Sequence, residues 1–76
     1  MSVPAVITRK FSGPKLKEVR REHRRRQQEV AGRSGIPLDT YRQYESGRVT
    51  PSADRLAALA SVLNVPMDAL FAEVKA

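Results

Sequence analysis

Between Gln27 and Pro51 the chain sets two helix-length segments on either side of Gly35 and stops the second at Gly47. The first runs Gln27–Ser34 with Val30 and Ala31 on its inner face, and Gly35 supplies a left-handed stop. Ile36-Pro37-Leu38-Asp39 opens the second, because Pro37 suits a first helical position and Asp39 suits the positive helix end. It closes within the string Tyr44-Glu45-Ser46-Gly47-Arg48. Two short helices across so tight a turn leave few architectures open. One of them presents a helix end-on to a DNA major groove.

The flanking sequence is also helical in period. Ser12 can cap a helix whose first turn holds Pro14, and Leu16, Val19, Arg20 and His23 then recur on one face. His23 on that stripe is expected to be a partly buried, hydrogen-bonded side chain. Val49-Thr50-Pro51 is a connector, Ser52 caps a fourth helix, and Leu56, Leu59, Ala60 and Leu63 form its inner stripe. Asn64 ends it, and Pro66 to Val74 is expected to form a last helix burying Leu70 and Phe71. Residues 1–10 lack a helical period and contain Pro4. The expected organisation is thus all-α: a flexible basic arm over 1–10, then one five-helix domain over 11–76. Arg9 and Lys10 of the arm could reach a minor groove.

Charge is unevenly placed. Residues 9–33 hold ten Lys/Arg against three acids, a net +7, whereas the remainder is net −1. One basic end implies a polyanionic partner. The lack of cysteine excludes a disulfide framework and a thiolate metal site, and one histidine excludes a zinc finger. With no paired carboxylates on one face and no glycine-rich phosphate loop, neither an enzyme nor a cofactor is expected, and no small-molecule ligand is indicated. No run approaches the roughly 20 apolar residues of a membrane span. Val3–Ile7 is too short for a signal segment, so a cytoplasmic, nucleoid-associated protein is expected.

The third helix divides by angle. At about 100° per residue, Leu38, Asp39, Arg42, Gln43 and Ser46 share an arc of about 140°, with Tyr41 and Tyr44 opposite. Arg can pair with guanine, Gln with adenine, Asp with the cytosine amino group, and Leu can meet a thymine methyl. Gln27 and Gln28 open the preceding helix, whose N-terminus suits a phosphate. Arg26 and Thr40 complete the expected DNA-facing set. Arg20, on an apolar stripe, needs a carboxylate, and Glu45 is the candidate for a structural ion pair.

These residues, with Gln27-Gln28-Glu29-Val30-Ala31, Tyr44-Glu45-Ser46-Gly47-Arg48 and Leu63-Asn64-Val65-Pro66, resemble the phage-repressor/Cro-like (XRE-type) helix-turn-helix family of bacterial and phage regulators. The resemblance implies a compact five-helix lambda-repressor-like domain binding double-stranded operator DNA as a two-fold homodimer to control transcription, as a repressor. It implies phosphate and base contact at Gln27, and base contact at Leu38, Asp39, Arg42 and Gln43. The Arg20–Glu45 pair and a phosphate contact by Arg48 are implied too. The chain departs from the family at Arg24-Arg25-Arg26, where Gly-Leu-Ser/Thr is usual, and at Pro37, where a Ser/Thr cap is usual. Leu38 and Asp39 are poor in donors, which leaves an alternative: a protein-interaction module, adaptor or antitoxin-like, on the same fold. For dimerisation, Met67, Leu70 and the C-terminal tail, or Val3–Ile7, are the candidate surfaces.

Overall fold

A computed structural model describes residues 8–74. The order is β1 (Thr8–Phe11), α1 (Gly13–Glu22), α2 (Gln27–Ser34), α3 (Leu38–Ser46), α4 (Ala53–Val62), a 3-10 turn over Met67–Leu70, and β2 (Phe71–Val74). Four α-helices stand where the sequence places them. The expected fifth helix does not form. Its residues make the 3-10 turn and β2, and β2 pairs antiparallel with β1 in the register Thr8↔Val74 to Phe11↔Phe71. The fold is therefore mostly helical with a two-stranded sheet, not all-α. Residues 8–10, expected in a loose arm, are a strand. The rest of the arm, with Val3–Ile7, lies outside the described residues.

Serine side chains start the two scaffold helices: Ser12 Oγ accepts Lys15 N–H at 3.2 Å and Ser52 Oγ accepts Arg55 N–H at 3.3 Å. All four α-helices end alike. Arg24, Gly35, Gly47 and Asn64 adopt left-handed φ values of 54°, 68°, 81° and 54°. Each donates its N–H three residues back, and the next residue donates five back, as in Arg24 to Arg21 at 2.9 Å and Arg25 to Arg20 at 3.1 Å. This double bond pattern satisfies carbonyls that a helix end leaves open. Two ends use glycine, which accepts the conformation freely. The α1 end forces it on an arginine, in the triplet that departs from the family.

The core is a single cluster. Leu16 and Val19 of α1, Val30 and Ala31 of α2, Ile36 of the turn, Tyr41 and Tyr44 of α3, and Leu56, Leu59, Ala60 and Leu63 form one cluster with Leu70. Burying each such leucine contributes about 1.5–3 kcal/mol, so these stripes fix the helix orientations. α3 packs on both α1 and α2, and α2 on α4. Gly13 makes the α1–α3 approach possible, since a Cβ there would sit 2.5 Å from the Glu45 carbonyl oxygen and closer still to that of Tyr44. Phe11 and Phe71, facing each other across the sheet, pack on the same core.

Candidate nucleic-acid interface

α3 has the two faces its sequence describes. Tyr41, Tyr44 and Glu45 are buried, and Asp39, Arg42, Gln43 and Ser46 are exposed. Two of the expected residues fit less simply. Leu38 is half-buried and packs against the core, so only part of it reaches the free face, and Thr40 is half-buried. Pro37 is the residue before the helix (φ −57°, ψ 140°), not its first member. Its fixed φ is kept, but the extended ψ turns the chain into α3 instead of continuing it. Arg42 lies 3.8 Å from Asp39, both largely exposed.

The orientation of α3 is held by a buried polar network. Arg20 Nε donates to Glu45 Oε2 at 2.7 Å and Arg20 Nη2 to Glu45 Oε1 at 3.2 Å, a two-point contact between α1 and α3. The arginine side chain is 10% exposed and the glutamate 4%. Arg20 Nη1 also donates to the Arg25 carbonyl at 2.9 Å, which ties in the α1–α2 turn. Gln27 Nε2 donates to Glu45 Oε1 at 3.0 Å, adding the start of α2. Burial by itself would raise the Glu45 pKa, but the hydrogen bonds led by Arg20 outweigh it and hold the carboxyl below the usual range. The Tyr41 hydroxyl is buried with no hydrogen-bond partner among the described residues, and its pKa is pushed up, first by that burial and then by Glu45.

Gln27 therefore does something the sequence reading did not assign to it. One N–H of its side-chain amide is engaged by Glu45, which leaves the second N–H and the backbone N–H for an anion at the start of α2. A signal existed in hindsight: Glu45 has two oxygens, and one arginine does not saturate them. Arg55 is a second such residue, donating from Nη1 to the Tyr44 hydroxyl at 2.8 Å and bracing α3 from α4.

The capping pattern separates the helices into pairs. α1 and α4 are closed by serine, whereas α2 and α3, preceded by Arg26 and Pro37, have no side-chain cap. Their first N–H groups remain open to an anion. Of the basic residues, Arg9 lies along the surface and donates to Asp68 (Oδ2 at 3.3 Å, O at 3.0 Å) and to the Phe71 carbonyl at 3.4 Å. Arg25 and Arg33 share Glu29 at 2.6 and 3.6 Å, and the Arg25 hydrogen bond, the largest influence, lowers the Glu29 pKa. Arg24, Arg26 and Arg48 are exposed, with no carboxylate partner among the described residues. Gln28 is exposed beside them. His23 is exposed rather than half-buried, because α1 ends there and the stripe turns outward; its Nδ1 sits 2.9 Å from the Val19 carbonyl. No metal-binding group of three or more acidic, histidine or cysteine residues occurs among the described residues, and no helix is long and apolar enough to cross a membrane.

A short helix with a free polar face, set against a second helix across a left-handed turn, defines a helix-turn-helix DNA-binding protein of the transcription-regulator class. The chain belongs to the helix-turn-helix family, which it matches over residues 16–70. Its fold is similar to that of the restriction-modification controller protein C.AhdI from Aeromonas hydrophila (TM-score 0.75, 27% identity, 78% of this chain and 89% of that one). It is similar also to the DNA-binding domain of the P22 c2 repressor (TM-score 0.75, 23% identity, 80% of each chain). The P22 c2 repressor in complex with synthetic operator 9T superposes with a TM-score of 0.73 at 23% identity, over 80% of this chain and 92% of that one. No curated protein sequence matches the chain.

Proposed function

We propose that this protein is a sequence-specific transcriptional repressor that binds a two-fold symmetric operator as a homodimer, with α3 in the major groove. The observation that carries this is the divided α3, buried on its tyrosine face and free on its Arg42–Gln43 face. Arg42 and Gln43 read bases, with Asp39 and the outer part of Leu38 at the same edge. The open N–H groups at Gln27 and Gln28 take a phosphate, and Arg26, Thr40 and Arg48 hold the flanking backbone. The controller protein and the operator-bound repressor that share the fold support the reading.

Selection of bound sequences from a random duplex library tests it. The expected result is an inverted repeat with half-sites about 10 base pairs, or roughly 34 Å, apart. With ~6–10 phosphate contacts, affinity falls ~10³–10⁵-fold between 50 and 200 mM salt. Absence of an enriched sequence, or a flat salt response, overturns the reading in favour of a protein-interaction module.

A further inference from the structure

α1 carries both signs of charge on its outer surface, and its contact with α3 sorts them. Arg20 marks where α1 meets α3, since its Nε binds Glu45 at 2.7 Å. At about 100° per residue, the buried Leu16 and Val19 lie about 40° and 100° from Arg20 on the core side. Lys17 and Arg21 lie about 60° and 100° from it on the other side. Both are exposed, and neither pairs with a carboxylate among the described residues. Glu18 and Glu22 lie about 160° from Arg20, on the back of the helix, where Lys15 approaches Glu18 at 3.9 Å. α3 repeats the arrangement around Glu45. Tyr41 and Tyr44 lie about 40° and 100° round on the core side, and Arg42 about 60° round on the other. Both helices bury their core-side residues in one cluster, so the core fills one side of the α1–α3 seam. The opposite side is open. Its rims are Lys17 with Arg21 on α1, and Arg42 with the outer part of Leu38 on α3.

We infer that Lys17 and Arg21 form a phosphate-binding rim beside the reading helix, engaging the duplex strand that borders the groove α3 enters. This rests on the α3 reading above and adds a surface outside the two helices of the helix-turn-helix. Packed helices lie about 8–10 Å apart, and the major groove is about 12 Å wide, so about 6 Å separates its midline from its edge. A helix seated in the groove therefore leaves its packed neighbour over that edge, where the backbone runs. Lys17 and Arg21, one helical turn apart, then reach neighbouring phosphates with their long side chains, while Glu18 and Glu22 face away. Such contacts carry no sequence information. They fix the depth and tilt at which Arg42 and Gln43 meet the base edges.

Salt titration of duplex binding tests the rim with the double variant Lys17→Gln/Arg21→Gln, with Lys15→Gln on the back of α1 as control. All three positions are exposed, and circular dichroism checks each fold. Each lost contact should reduce the slope of log affinity against log salt by about 0.9 per chain. The gap between parent and double variant should therefore narrow about tenfold per chain from 50 to 200 mM salt. It should be equal on selected and random duplexes, and Lys15→Gln should keep the parent slope. A double variant whose slope matches that of Lys15→Gln overturns the proposal, as does a parent that binds no duplex. A parent that selects an operator while the double variant keeps its slope sinks the rim alone. A parent that binds duplex without selecting a sequence, with the slope lowered in the double variant, sinks only the repressor reading.

Discussion

Replacing Glu45 by glutamine preserves shape and removes the one carboxylate facing Arg20. The Arg20 guanidinium, 10% exposed, cannot recover water, and its remaining strong partner is the Arg25 carbonyl. Breaking one side of a buried pair costs about 3–5 kcal/mol. A domain of this length has a total stability of about 4–11 kcal/mol, so the variant should lose about a quarter of it or more. Urea unfolding followed by helical ellipticity measures this directly. The double variant Arg20→Met/Glu45→Met leaves no uncompensated charge and should recover most of the loss. It should remain about 1–2 kcal/mol below the parent, because Gln27 Nε2 and the Arg25 carbonyl lose partners. The pair also has a pH signature. The folded pKa of Glu45 lies below its ordinary 4.5, so its contribution is complete above pH 4.5 and fades as pH falls through the lower folded value. The parent should lose stability in that acid window, and Glu45→Gln should lack this component. A single variant within 1 kcal/mol of the parent, or a double variant less stable than the single, would refute the reasoning.

Gly13→Ala should destabilise the fold by about 1–3 kcal/mol or more, because the methyl meets backbone carbonyls of α3 that cannot rotate away; an unchanged melting temperature would contradict this. Arg24→Gly should stabilise by about 1 kcal/mol by relieving a left-handed arginine, and a lower melting temperature would show that the arginine makes a compensating contact. In DNA-binding assays, Arg42→Ala should relax preference at one base position by about 1–3 kcal/mol, while Arg48→Ala should weaken all sequences alike and reduce the salt slope by about one. Equal loss on every sequence for Arg42→Ala would remove that residue from base reading.

The sequence by itself determined the four α-helices, most of their ends and the two faces of α3. Those signals are local: serine caps, glycine stops and apolar spacing act within a few residues of where they are written. It also determined Arg20 and Glu45, because a charge on an apolar stripe demands a partner. Three things were decided only by the tertiary structure. The β1–β2 ribbon joins segments about sixty residues apart in sequence, and four-residue strands have too little alternation to distinguish them from a helix tail or an arm. Gln27 joins the Glu45 carboxylate, and Arg55 the Tyr44 hydroxyl, only because α2 and α4 deliver them there. Arg24 takes a conformation that its own chemistry disfavours, since the packing of α1 and α2 on α3 fixes where the turn must go. Local preference wrote the helices, and burial around Leu70 chose what the chain ends became.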